Sequence, residues 1–219
     1  MNGVEYSLCV GDVGFDYQYL IDNNVDPIKN RLIFGNHDNY DKVNQVPHNL
    51  GDFGVWSVPD FGDIFFVRGA WSIDAKFRTP GFDWWADEEM SYNRCQEAID
   101  LYKQVKPNIL ISHACPTVVT PYLTNATFAA HFGFKDPIIT RTDTMLQQMV
   151  EFHAPRLSVF GHFHKAFKKW VNNKTGELLP VGFMYSPEID PNYTQYICLP
   201  EFGVLDLDVD YYNKDLLQL

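Results

Sequence analysis

No apolar run in this 219-residue chain approaches the ~20 residues that a membrane-crossing helix requires. No membrane partner is therefore expected. The opening residues, Met1-Asn2-Gly3-Val4-Glu5-Tyr6, carry neither a basic cluster nor an apolar stretch, so a secretory leader is not expected and the expected location is the cytoplasm. Cysteine is sparse: Cys9, Cys95, Cys115 and Cys198 are scattered with no C-x-x-C pair and read as free thiols in a reducing compartment. Positive charge is also scarce, with 17 Lys and Arg against 28 Asp and Glu and a net charge of −11. The densest basic stretch is Lys165 with Lys168-Lys169. A face built to grip nucleic-acid phosphates usually needs more, so nucleic acid is not an expected partner.

What is present fits an ordinary globular protein, 46% hydrophobic and 21% charged. With no repeat, low-complexity tract or linker, residues 1–219 read as a single domain. Apolar strand-like runs alternate with helical stretches, which predicts an α/β layered fold. Residues 53–58 and 63–70 predict a hairpin around Pro59-Asp60-Phe61-Gly62. Residues 86–106 predict a helix with Asp87-Glu88-Glu89 in its first turn and Pro107 as its stop. Residues 141–153 predict a second, capped by Thr142 or Asp143. Residues 16–30 fit a short helix or an irregular crossover.

Four polar clusters follow apolar runs: Gly11-Asp12 after Ser7–Val10, Gly35-Asn36-His37-Asp38 after Arg31–Phe34, Ser112-His113 after Ile109–Ile111, and Gly161-His162-Phe163-His164 after Leu157–Phe160. Ligands of open α/β sheets bind beyond the strands' carboxyl ends, where such clusters would gather. Asp, Asn and His supply oxygen and neutral-nitrogen donors suited to Mn, Fe, Zn or Ni. In the His-x-His pair both imidazoles share one side of an extended segment.

The order, spacing and types of these clusters resemble the calcineurin-like metallophosphoesterase superfamily over roughly residues 6–170. The resemblance implies a metallophosphoesterase-type β-sandwich flanked by helices. It implies that Asp12 bridges two divalent ions, that Asn36, His113 and His162 bind the second, and that His164 binds the first. It gives His37 the role of acid toward the leaving oxygen, with Asp38 orienting His37 or its loop. The segment Gly69–Asp74, then Arg78-Thr79-Pro80-Gly81, Trp84-Trp85 and Glu88-Glu89, resembles a small group of such enzymes in phages and bacteria. There Arg78 would meet a phosphate and Trp84 or Trp85 would wall the cleft.

The superfamily begins with an Asp-x-His on its first strand, and none precedes Asp12 here. The expectation is a fold lacking that strand, with the second metal's ligands complete and the first reduced to Asp12 and His164. Three accounts stay open: a late start, a natural short form with one metal or a substitute ligand such as Asp16 or His131, or lost catalysis with a retained binding role. The expected activity is metal-dependent hydrolysis of a small phosphomonoester or phosphodiester. The alternative is a metal-binding or scaffold protein on a decayed phosphatase fold.

Overall fold

Residues rich in β-branched and aromatic side chains form a hairpin, β3 (Phe53–Val58) and β4 (Gly62–Val67), with Phe53 opposite Val67 and Val58 opposite Gly62. The structure, a computed structural model, describes residues 5–14, 17–136, 138–180 and 190–201, with 203, 205 and 207. The other described strands are β1 (Ser7–Cys9), β2 (Asn30–Leu32), β5 (Ile109–Ser112), β6 (Leu157–Phe160), β7 (Phe167–Asn172) and β8 (Tyr193–Cys198). The helices are α1 (Gln18–Asp22), α2 (Tyr92–Val105), α3 (Thr120–Leu123), α4 (Ala126–His131) and α5 (Arg141–Phe152).

β1 and β2 pair in parallel, apart from a six-stranded sheet of order β3-β4-β5-β6-β8-β7. Inside that sheet β4, β5, β6 and β8 run parallel, and β3 and β7 are antiparallel at its edges. The fold is thus mixed α/β, with a six-stranded central sheet and helices against it.

Strand alternation sorts side chains between two cores. Phe65, Val67 and Leu110 point toward α2 and α5, where they meet Tyr102, Leu146 and Met149. Ile64, Phe66, Ile109 and Ile111 point the other way, toward Leu8, Val10 and Ile33 of the β1–β2 layer. Both faces of β5 and β6 are covered, as every residue of both strands is buried. Truncating a fully buried side chain such as Leu146 to Ala would cost about 2–5 kcal/mol. No helix among the described residues is long and apolar enough to cross a membrane, and all four cysteines are free.

The helix predicted over 86–106 starts later. Ala86–Glu88 is a separate 3-10 turn, and α2 begins at Tyr92, capped by Ser91 Oγ accepting from Arg94 N–H. Ser91 offers a cap that the acids before it do not, and Glu88 is buried in another role. Lys106, in the left-handed conformation, ends α2 just before Pro107. α5 is capped by Thr140 rather than Thr142 or Asp143, through a box with Asp143 at its third position. β4 ends at Val67, because Gly69 turns the chain with φ 86° and donates to Phe34 O. Among the described residues of the 16–30 region, the helix is the five-residue α1, and β2 begins at Asn30.

Candidate functional site

Four side chains from the ends of β1, β2, β5 and β6 converge on one another. Asn36 Oδ1 lies 3.0 Å from His113 Nε2 and 2.9 Å from His162 Nδ1. Asp12 Oδ1 lies 3.2 Å from the same His113 Nε2, and the two imidazole centroids are 5.3 Å apart. Close approach demands glycine at two neighbours: a Cβ on Gly35 would overlap Asp12 Oδ1 and the His113 ring, and one on Gly11 would overlap His113 Nδ1. Asp12 and His162 hold φ of 59° and 64° although neither is glycine. Strain of this kind persists where the surroundings dictate it, often at functional sites.

The hydrogen-bond partners fix which atoms face inward. His113 Nδ1 is 2.6 Å from Val10 O, so in the neutral ring its N–H is committed to that carbonyl. His113 Nε2 therefore presents a lone pair to the acceptor oxygens of Asp12 and Asn36. Only a proton or a cation among them relieves that repulsion.

The amide of Asn36 is oriented from behind. Its Nδ2 donates to Ser72 Oγ at 3.0 Å, while Ser72 donates through Oγ to Glu88 Oε2 at 2.6 Å and through its backbone N–H to Glu88 Oε1 at 2.8 Å. Because the Ser72 hydroxyl proton goes to Glu88, its oxygen must accept, which turns Asn36 Oδ1 toward the histidines. The sequence reading placed Ser72 and Glu88 in the segments resembling the phage and bacterial group but gave them no role in the site; both lie far from Asn36 in sequence.

Asp38 is fully buried and ties the two loops together. Its carboxylate accepts from the backbone N–H of Gly35, Asp12 and Gly14 at 2.7, 2.9 and 3.2 Å, and from the Tyr17 hydroxyl at 3.1 Å. It thus holds the loop, whereas the neighbour of the His37 ring is Arg78. Arg78 Nη2 stands 3.3 Å from His37 Nε2, and the same guanidinium makes a two-point pair with Asp74 and donates to Asp83 O. The guanidinium predicted to meet phosphate is therefore already engaged and faces His37.

A cavity of about 300 Å³ opens beside the cluster, lined by Asn36, His37, Trp71, Asp74, His162 and His164 among others. Trp71 stands in its wall where Trp84 was predicted to stand. Trp84 instead brings its indole N–H near the Glu88 carboxylate, short of hydrogen-bond geometry. His164 is exposed, with Nδ1 3.7 Å from Glu201 Oε2, and it lines the same cavity as Asn36 and His162. His131 ends α4 in an exposed position, and Asp16 lies outside the described residues.

Charge follows this arrangement. Burial works against the Asp12 carboxylate, but His113 and the His37 backbone N–H hold it well below the usual carboxylate range. Burial also opposes a charge on His113, but Asp12 and Val10 O outweigh it and raise the imidazole overall. Burial, reinforced by His113, pushes His162 down to about 3, and burial pushes Asp38 up to about 6. Burial, with Arg78 beside it, lowers His37 despite Asp12.

Among the described residues, His, Cys, Asp and Glu alone form no ready metal cage of three; the amide oxygen of Asn36 joins the two imidazoles and Asp12. The set fits one divalent ion. Donors bound at ~2.0–2.2 Å and at right angles about an ion lie roughly 3 Å apart, close to the 2.9, 3.0 and 3.2 Å found here.

The model of the calcineurin-like phosphoesterase family matches residues 3–166. The chain belongs to that family, whose members generally bind divalent metal ions. No curated protein matches the chain.

Proposed function

Starting from that membership, we propose that the chain is a metal-dependent hydrolase of small phosphomonoesters or phosphodiesters. The convergence of Asp12 Oδ1, Asn36 Oδ1, His113 Nε2 and His162 Nδ1 carries this reading. These four would hold one divalent ion, and His164 with Asp12 would lean toward a second. A bound ion supplies Lewis acidity, which makes water nucleophilic near neutral pH and offsets charge on the phosphoryl group.

The chain's own residues do the rest. Asn36, oriented by Ser72 and Glu88, presents an oxygen and no proton to the ion. Val10 O holds the His113 tautomer so that Nε2 is the free nitrogen. Asp38 keeps the Asp12 and Asn36 loops in register. His37 lies in the cavity wall beside the cluster, where it can protonate the leaving oxygen. Its lowered basicity makes the protonated ring a stronger acid. A phosphorus–oxygen bond forms to water, which releases one proton to solvent; the bond to the ester oxygen breaks, that oxygen takes the His37 proton, and His37 regains a proton from solvent. The products are an alcohol and a phosphate, or a phosphomonoester from a diester.

The test uses a nitrophenyl phosphate and its bis-ester, with excess manganese and with chelator. Turnover should require metal and fall at least about 100-fold in Asn36→Ala, the scale reached by disturbing even the outer partners of metal ligands. Metal binding without turnover on either ester would overturn the hydrolase reading and favour a metal-binding module.

A further inference from the structure

The cavity beside the cluster is lined by two kinds of side chain: the polar Asn36, His37, His162 and His164, and the apolar Trp71, Ile73, Phe128, Phe132 and Phe163. At about 300 Å³ it sits at the small end of small-molecule pockets, which run ~300–1,000 Å³. The aromatic lining is held by ring contacts: Trp71 meets Phe134 edge-on at 5.7 Å, Phe163 meets Phe160 edge-on at 6.1 Å, and Phe128 and Phe132, both in the lining, lie 5.4 Å apart.

The charged groups of the lining already have partners: Asp74 is paired with Arg78, Asp143 accepts from the Thr140 backbone N–H, and Lys165 Nζ donates to Leu123 O. Its threonine hydroxyls are engaged too: Thr120 and Thr124 donate to Pro116 O and Thr120 O, and Thr140 Oγ1 accepts from Asp143 N–H. A substrate carrying its own charge or several hydroxyls in its organic part would lose hydration there and gain few partners. A flat apolar ring would lose nothing and would meet aromatic faces and edges.

We propose that this cavity takes the organic group of the ester, and that this group is a single aromatic ring or a ring of similar size and flatness. The inference rests on the reading of the Asn36 cluster as the phosphoryl site. His37, the acid of the proposed reaction, lines the same cavity, so the ring would belong to the leaving group it protonates. The class so selected is a small aryl or arylalkyl phosphoester; phosphopeptides and polynucleotides do not suit a pocket of this size and polarity.

The experiment separates binding from turnover. Benzylphosphonate and methylphosphonate, which share a headgroup and resist hydrolysis, are titrated calorimetrically into the manganese-loaded protein. The benzyl compound should bind at least about tenfold tighter, the scale expected for burying one aromatic ring. Ala129 is 2% exposed and lines the same cavity, and Ala129→Met should fill it and reduce that advantage to about threefold or less. Equal binding of the two compounds by the wild type overturns the proposal, as does an advantage that survives Ala129→Met. If Ala129→Met does not fold, the wild-type ratio decides. Benzyl phosphate and ethyl phosphate, with leaving groups of similar basicity, complete the test. Their turnover with equal kcat/KM overturns the aromatic pocket while sparing the hydrolase reading. Absence of turnover with a preserved benzyl preference overturns the hydrolase reading while sparing the pocket.

Discussion

Asn36 donates its amide N–H to Ser72 Oγ at 3.0 Å, across 36 residues of sequence. That bond decides which end of the amide faces His113 and His162, and Glu88 decides it in turn by taking the Ser72 hydroxyl proton. A ligand amide in the flipped orientation would present N–H groups to the ion and repel it.

Glu88→Gln should therefore weaken manganese or zinc binding about 10–100-fold, the range seen when a partner behind a metal ligand is removed. A glutamine offers Ser72 one acceptor where Glu88 offers two, so the hydroxyl loses its fixed direction. Glu88 is 2% exposed and burial raises its carboxyl, so the substitution also removes a disfavoured buried charge. The melting temperature of the metal-free protein should consequently hold while affinity falls. Calorimetric titration and thermal melts give the two readings. Unchanged affinity, or a loss that only tracks a fall in stability, would refute the relay.

His37→Ala should lower turnover of an alkyl phosphoester by about 10²–10⁴-fold, the usual worth of a general acid. The loss should shrink for a nitrophenyl ester, whose leaving group needs no proton. Arg78 faces the same ring at 3.3 Å, so Arg78→Met should lower alkyl-ester turnover less and add little in the double variant. Equal losses on both esters would make His37 structural, and additive losses would place Arg78 on the substrate instead.

Asp143 predicts a pH dependence of stability. Burial pushes its carboxyl up to about 7, against about 3.9 for an exposed aspartate. Between those values the folded protein holds a proton that the unfolded chain has released. Stability should accordingly fall as pH rises through that window and level off above it. Asp38, pushed up to about 6, adds a drop of the same sign. Thermal melts of metal-free protein at about pH 5 and about pH 8 would measure the total. Asp143→Asn keeps an acceptor for Thr140 and should shrink the drop; an unchanged drop would mean that Asp143 does not titrate in this range.

The parts of the fold written in local pattern were legible. The β3–β4 hairpin, the strands before each polar cluster, and the apolar face of α5 all follow from residue alternation or helical spacing. The clusters could be placed because strand ends in an α/β sheet gather on one edge. The start of α2 was misplaced because three acids resemble a first turn, while the operative signal was the single Ser91 hydroxyl. The parts that depend on distant partners could not be read from any window. Nothing near Asn36 announces Ser72, nothing near Arg78 announces His37, and only packing chooses Trp71 over Trp84 for the cavity wall. His164 illustrates the same limit: nothing near it in sequence announces Glu201, whose Oε2 lies 3.7 Å from its Nδ1.

The central claim is that Asp12, Asn36, His113 and His162 form one divalent-metal site. Calorimetric titration of manganese into chelator-stripped protein tests it directly, with His162→Ala as the comparison. His162 should be neutral and ready to bind throughout the physiological pH range, since burial holds it down to about 3. The account predicts about one tightly held ion per chain, and affinity at least about 100-fold weaker in His162→Ala. No tight binding in the wild type, or equal affinity in the variant, would contradict it.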